Sequence, residues 1–216
     1  MSAAGDALHR MVFGLLSMVP SRGQGRLLGR YFDWWHRNPD PWNYHGEPYE
    51  KYKHKRTIEV LPARPYARII DVGCSEGTFT HLVAAAYPES ETLGVDISRR
   101  ALARAESGKD TSSARFLALD ILNQSPGGSF DLVFCAETLY YLGRSGRLRQ
   151  ASVRLAGLLA PGGLLVLTHP WPEARRLYRC LDADPALLRT AEHVDDGSGR
   201  PFAITIYQRQ AAGQPA

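Results

Sequence analysis

The sequence predicts an α/β fold with a mostly parallel β-sheet, and three observations lead to this prediction. Apolar runs of strand length alternate with amphipathic segments of helix length along most of the chain. The first run leads through two glycines, Gly73 and Gly77, into a helical segment. The second and third runs end at aspartates, Asp96 and Asp120. Because the carboxyl ends of parallel strands meet at one edge, we expect the loop and both aspartates to lie together.

The first predicted strand, residues 69–72, is followed by a loop suited to bind a ligand with its backbone. Gly73 and Gly77 let the main chain approach a ligand without side-chain collision. The helix that begins near Thr78 directs its free N–H groups toward that ligand. Asp71 lies where a dinucleotide fingerprint has an apolar residue, and the G-x-G-x-x-G spacing is absent. A carboxylate there repels a pyrophosphate but suits a cation, which favours S-adenosylmethionine (SAM), a sulfonium that also carries an ammonium group.

The next two strands supply carboxylates to the same edge. A strand over residues 92–95 ends at Asp96, about 20 residues beyond the loop, where a carboxylate can accept hydrogen bonds from ribose hydroxyls. Ser98 is placed to cap a helix over residues 99–107. The strand over residues 115–119 leads to Asp120, which can accept the adenine amino group.

The rest of the chain predicts further alternation and an antiparallel ending. The predicted elements are a strand over 130–135, a helix over 151–160 stopped by Pro161-Gly162-Gly163, a strand over 164–168, a helix over 173–188 interrupted by Pro185, and a strand over 202–207. A turn at residues 195–199 makes the last strand return as a hairpin, which gives an antiparallel end to the sheet. Residues 210–216 are expected to form a flexible tail.

Over about residues 66–208 the ordered motifs resemble the class I SAM-dependent methyltransferases, which have a Rossmann-like sheet. A narrower resemblance, to the nodulation-protein-S group of N-methyltransferases, rests on four segments: Asp40-Pro41-Trp42, Pro48-Tyr49-Glu50 with Lys53, residues 73–77, and residues 137–142. That group methylates an amino sugar. His54 stands where the group is expected to have a tyrosine, and Ala136 where a serine is usual.

The motifs and the resemblance together predict the residues that contact SAM. They are Asp71, Gly73, Cys74, Ser75, Gly77, Asp96, Ile97, Asp120, Ile121 and Cys135 in the sheet domain, with Trp42, Tyr49 and Lys53 from the preceding segment. Lys53 is expected to meet the SAM carboxylate.

Two residues that follow strands are candidates to accept a proton from the methyl acceptor. Glu137 follows the fourth strand and His169 follows the fifth, where ligands of parallel sheets bind. Alternatively, Glu137 caps the next helix and His169 is a turn residue. Tyr140 is a third candidate, although only one of the adjacent Tyr140 and Tyr141 is expected to face the pocket.

Composition is that of one globular domain, with 216 residues of which 44% are hydrophobic. Three separated cysteines indicate a reducing compartment, and we expect a cytoplasmic protein. The apolar run over residues 11–19 is too short to span a membrane.

The net charge of +4 includes a basic cluster at residues 51–56. Because the sequence has no RNA-binding module, we interpret this cluster as the solvated face of a helix, and nucleic acid is not an expected partner. No ligand set has metal-binding spacing.

The sequence therefore predicts three segments: an aromatic and proline-rich arm and helical lid over residues 1–56, a SAM-binding domain over residues 57–209, and the tail. We expect methyl transfer to a small molecule, first to an amino group of a sugar or a sugar-bearing metabolite. A hydroxyl acceptor, on a sugar or a phenol, and a non-catalytic SAM-binding regulator remain as alternatives. The sequence leaves the identity of the acceptor and the oligomeric state open.

Overall fold

The computed structural model describes residues 11–108, 113–197 and 199–210, and a seven-stranded sheet forms their centre. The strands are β1 (Arg68–Val72), β2 (Glu91–Asp96), β3 (Arg115–Ala118), β4 (Phe130–Ala136), β5 (Leu159–Pro170), β6 (Leu187–Asp195) and β7 (Phe202–Arg209). Their order across the sheet is β3-β2-β1-β4-β5-β7-β6. Strand β7 is antiparallel to both of its neighbours and the other pairs are parallel. The predicted sheet and its antiparallel ending are confirmed.

Helices cover the sheet and connect its parallel strands. They are α1 (Ser21–Trp35), α2 (Pro48–Glu59), α3 (Thr78–Ala86), α4 (Arg99–Ser107), α5 (Ser145–Leu158), α6 (Ala174–Leu177), α7 (Arg179–Asp182) and a 3-10 helix (Leu139–Leu142). Residues 11–16 are also helical. Ser98 caps α4 as predicted, because its hydroxyl accepts the N–H of Ala101 at 3.1 Å.

Hydrophobic side chains alternate between the two faces of the central strands. Ile69 and Leu132 pack on one face with Phe134, whereas Ile70 and Val133 pack on the other. Because successive side chains of a strand point to opposite faces, a strand buried on both sides is apolar throughout. This explains why the sequence shows continuous apolar runs rather than alternation.

One predicted boundary and one predicted helix are wrong. Helix α5 ends at Leu158, and β5 already begins at Leu159 and includes Pro161 to Gly163, where the pairing with β4 shifts register. The single helix predicted over residues 173–188 is replaced by the short helices α6 and α7, followed by β6. Pro185 restricts the residue before it, and Leu187 is buried where β6 pairs with β7, so tertiary packing overrides helix propensity.

The N-terminal arm packs against the sheet domain in this structure. Phe13 contacts Tyr31 and Tyr141, with ring centroids 5.8 and 5.1 Å apart. Among the described residues, no helix is both long enough and apolar enough to cross a membrane. Residues 1–10 of the arm, residue 198 of the predicted turn and the tail beyond residue 210 lie outside the described residues.

Candidate functional site

Two adjoining cavities open at the carboxyl ends of the parallel strands. The larger has a volume of about 850 Å³ and is lined by α1, the loop after it and the ends of β2 and β4. The smaller, of about 480 Å³, lies between α2 and the loop after β1. The residues that line both cavities are Tyr44, Gly73, Ser75, Ala136 and Glu137. They mark the junction where one elongated ligand could pass from one cavity to the other.

The loop after β1 forms part of the junction through its backbone. Gly73 and Gly77 have φ angles of 81° and 79°, in the left-handed region that favours glycine. A Cβ atom on Gly73 would lie 2.2 Å from the Thr138 hydroxyl oxygen, and one on Gly77 would lie 2.8 Å from the Phe116 ring. Any side chain at these positions would therefore displace a neighbour, so the loop can pass close to a ligand only with glycine there.

The structure brings the two strand-end aspartates to the wall of the larger cavity, together with Ile97 and Ile121. The Asp96 carboxylate accepts the N–H of Ser75 at 2.9 Å and that of Ser98 at 2.8 Å. Burial raises the pKa of Asp96, although these hydrogen bonds oppose the rise. The carboxylate of Asp120 accepts the N–H of Leu122 at 3.0 Å. Each carboxylate is thus oriented by backbone donors and keeps acceptor capacity for a ligand.

Helix α1 packs closely against the Asp120 side chain at Gly25. A Cβ atom on Gly25 would lie 2.0 Å from Asp120 Oδ2, so the backbone of α1 reaches the carboxylate directly. This close approach makes the arm part of the cavity wall rather than a separate segment.

Three predicted positions in the sheet have different environments. Asp71 lines the smaller cavity and accepts the hydroxyl of Thr80 at 2.7 Å, while burial raises its pKa to about 7. Cys74 lines the same cavity. Cys135, predicted as a cofactor contact, is 1% exposed, and its side chain packs in the hydrophobic core instead. Its place at the end of a buried strand is the reason, because alternate side chains there point away from the cavity.

A buried cluster of charges surrounds Glu137 at the junction. Lys53 Nζ lies 2.8 Å from Glu137 Oε1 and 2.8 Å from Glu50 Oε2, and the Tyr140 hydroxyl donates to Glu137 Oε2 at 3.0 Å. Burial alone would raise the pKa of Glu137, but the charge of Lys53 and the hydrogen bonds from Lys53 and Tyr140 hold it below its ordinary value. Glu137 has a φ angle of 51°, a strained conformation that aims its side chain into the junction.

Lys53, Tyr49 and Tyr140 make contacts within the protein that bear on their predicted roles, and those roles stay predictions. Lys53 is not available as a single cation for a ligand carboxylate, because two carboxylates already compensate its charge. Tyr49 packs against Phe202, and Lys53 lies over its ring. The Tyr140 hydroxyl contacts Glu137 by a hydrogen bond, whereas the Tyr141 side chain lines the larger cavity.

His169 does not occupy the position of a proton acceptor. It is 0% exposed, and its Nε2 accepts the N–H groups of Thr138 at 3.3 Å and Leu139 at 3.1 Å. The other ring nitrogen, Nδ1, lies 2.9 Å from the Tyr178 hydroxyl. Burial lowers the pKa of His169 to about 4. The ring is therefore neutral, and its lone pair fixes the segment that follows Glu137.

The arm contributes Trp42, which the sequence predicts, and also residues that the sequence does not predict. Trp42, which was predicted, lines the larger cavity, and its ring stacks on that of Tyr44 with centroids 5.9 Å apart. His36 lines the same cavity, and its Nδ1 lies 2.8 Å from Glu76 Oε1. The aromatic density of residues 31–45 was the signal for these contacts. Nothing in the sequence pairs His36 with Glu76, which lies forty positions further along the chain.

Comparisons with known proteins agree with this geometry. Residues 70–165 match a family described as a methyltransferase domain. The nodulation protein S of Rhizobium tropici is 35% identical over 130 residues, which cover 59% of this chain and 53% of that protein. The trans-aconitate 2-methyltransferase of Deinococcus radiodurans is 35% identical over 148 residues, which cover 66% and 54%. This chain therefore spans about half the length of these two curated relatives.

A solved structure matches over more of the chain. The crystal structure of the N-methyltransferase NodS from Bradyrhizobium japonicum, in complex with S-adenosylhomocysteine (SAH), superposes with a TM-score of 0.73 at 25% identity. The match covers 85% of this chain and 98% of that one.

Proposed function

We propose that this chain, which belongs to the class I SAM-dependent methyltransferases, transfers the methyl group of SAM to an amino group of a small molecule, with an amino sugar as the first candidate. The N-methyltransferase activity named for the structural relative supports nitrogen as the acceptor atom. The resemblance to the nodulation-protein-S group supports the sugar.

The charge of the cavity walls is the observation that carries this proposal. Four carboxylates line the two cavities: those of Asp71, Asp96, Asp120 and Glu137. Among the described residues, the walls carry no arginine, and their one lysine, Lys53, is paired with Glu50 and Glu137. Such a site favours a cation, such as an ammonium or a sulfonium, and disfavours an acceptor with several carboxylates.

The residues present fit SAM. Asp96 and Asp120 would hold the ribose and the adenine in the larger cavity, and the loop at Gly73 would let the ligand pass through the junction. The methionine end would then occupy the smaller cavity. When bound, SAM supplies an electrophilic methyl group on a positively charged sulfur. The aromatic wall formed by Trp42 and Tyr44 would exclude water from the junction.

Glu137 would orient the acceptor amine. Because its pKa lies below the ordinary value, its carboxylate is ionised and is a weak base. It can therefore accept a hydrogen bond from the acceptor N–H without keeping the proton. Fixing the nitrogen lone pair toward the methyl group is the larger contribution, since positioning supplies much of the rate in such transfers.

Oxygen methylation is the second candidate, because a trans-aconitate 2-methyltransferase is among the relatives at 35% identity. A tricarboxylate acceptor would have to enter a cavity lined by carboxylates, which is the reason we place it second. A SAM-binding regulator without activity is the third candidate.

A turnover screen with radiolabelled SAM tests the proposal. Amino sugars, neutral sugars, phenols and trans-aconitate are supplied in parallel, and only the amines are expected to be methylated. Glu137→Gln should lower kcat on the best amine by about 10- to 100-fold while SAH affinity changes by less than about 2-fold. Glu173→Gln, which breaks an ion pair with Arg176 away from the cavities, serves as the control. Turnover of hydroxyl or carboxyl acceptors without any amine would overturn the proposal.

A further inference from the structure

The methionine end of SAM carries a carboxylate, and Lys53 is the one lysine or arginine that lines the smaller cavity among the residues that the structure describes. Lys53 lines this cavity but lies 2.8 Å from both Glu50 and Glu137. Turning Lys53 toward a ligand would leave two buried carboxylates uncompensated, which is costly in an interior. The partner of the ligand carboxylate must therefore be found elsewhere on the wall.

Two polar atoms on that wall are buried without a hydrogen-bond partner among the described residues. They are Nδ1 of His54 and the hydroxyl oxygen of Thr78. Buried polar atoms are nearly always satisfied, so two of them on one cavity indicate a ligand that satisfies both. His54 is 8% exposed, and its ring is fixed by Phe79 and Tyr44, with centroids 5.1 and 5.6 Å away.

The same wall contains the N-terminus of α3. Thr78 is the first residue of this nine-residue helix, and Gly77 precedes it in the left-handed conformation. The first N–H groups of a helix have no partner within the helix, and the helix dipole favours a negative charge beside them. The N-terminus of α3 beside His54 and Thr78 therefore favours an anion locally, although the carboxylates of the two cavities taken together favour a cation.

We propose that His54 Nδ1 and the Thr78 hydroxyl donate hydrogen bonds to the α-carboxylate of SAM at the N-terminus of α3. This assignment rests on the proposed function, and it replaces the role that the sequence predicts for Lys53. His54 then acts as a neutral donor, because burial lowers its pKa to about 4, with Lys53 adding to the effect. A neutral donor is compatible with the neighbouring Lys53, which a second cation would repel.

Two ligands that differ only in the carboxylate test the assignment. SAH carries the carboxylate, and S-adenosyl-3-thiopropylamine is the same molecule without it. His54→Phe keeps a ring of similar size against Phe79, and Thr78→Val keeps the shape of the side chain. Each variant should weaken SAH binding in calorimetry by about 10-fold or more, the usual effect of losing a hydrogen bond to a charged group. Neither variant should change the affinity of the decarboxylated ligand by more than about 2-fold.

Thr205→Val is the matched control, because Thr205 also has a buried hydroxyl without a partner but does not line either cavity. It should leave both affinities unchanged. Equal weakening of the two ligands by His54→Phe would overturn the assignment, since the ring would then act only by packing. Loss of SAH affinity in Lys53→Met alone would restore the role to Lys53. Failure of the wild type to bind either ligand would instead contradict the proposed function.

Discussion

His169 connects the end of β5 to the segment that carries Glu137. Its Nε2 accepts two backbone N–H groups that no strand or helix would otherwise satisfy, and such groups are costly when buried. The sequence could place a histidine at the end of this strand, but it could not show which way the ring turns. That direction depends on Tyr178, which packs against the ring from a later helix junction.

The His169 ring gives a prediction for the pH dependence of stability. Its pKa is about 4 in the folded protein and about 6.5 in an unfolded chain. The unfolded state therefore binds the proton first, and the stabilisation present above pH 6.5 is lost as pH falls toward 4. His169→Asn removes this loss, so the stability difference between wild type and variant should shrink by an amount on the order of 3 kcal/mol between pH 7.5 and pH 4.

Urea unfolding of the wild type and of His169→Asn between pH 7.5 and pH 4 measures the difference in their free energies of unfolding. Comparing the two curves is necessary because Asp71 acts in the opposite direction: burial raises its pKa to about 7, so its contribution is lost as pH rises. His193→Asn, on the exposed side of β6, controls for the removal of a histidine. A difference between wild type and His169→Asn that stays constant from pH 7.5 to pH 4 would contradict a buried neutral ring.

At the scale of elements, the N-terminal arm is joined to the loop after β1 by a buried carboxylate. Glu76 Oε1 lies 2.8 Å from His36 Nδ1 and 2.7 Å from Arg104 Nη1, and Glu76 Oε2 accepts the N–H of Asp40 at 3.0 Å. The arm therefore contacts the same loop whose backbone lines the junction. The sequence predicts an arm and helical lid over residues 1–56, and its aromatic and proline content leads us to expect that this lid is mobile and becomes ordered when SAM binds.

Glu76→Gln tests the coupling between arm and loop. The variant keeps the size of the side chain but removes the charge that pairs with His36 and Arg104. We expect hydrogen exchange of residues 31–45 to become faster by about 10-fold or more in the free protein, because a buried charge-assisted pair is lost. Added SAH should restore much of the protection. Unchanged exchange in the variant, or equal protection with and without SAH in the wild type, would show that the arm is not a lid.

Local sequence signals predict some elements well and others poorly. Helix α4 was predicted to its ends because Ser98 caps it and because the apolar positions of that segment have helical spacing. The sequence does not predict strand β6 because eight of its nine residues are not buried, so no apolar run marks it. Its formation depends on the ladder with β7, a long-range contact that the sequence of β6 does not encode by itself.

At the scale of the whole molecule, the site is assembled from segments far apart in sequence. The strand-end aspartates could be predicted because the topology of a parallel sheet brings them to one edge. The junction could not, because Tyr44 and Lys53 reach it only when α2 and the loop before it dock on the sheet. The arm, the loop after β1 and the segment after β4 therefore form one site together.

Calorimetry with SAH tests the central claim that one SAM molecule lies across both cavities. We predict that the wild type binds one SAH per chain and does not bind NAD. Asp96→Asn, in the larger cavity, should cost about 1.5–3 kcal/mol of SAH binding, the contribution of a hydrogen bond to a charged group. Tight binding of NAD, or an SAH affinity that Asp96→Asn leaves unchanged, would contradict the claim.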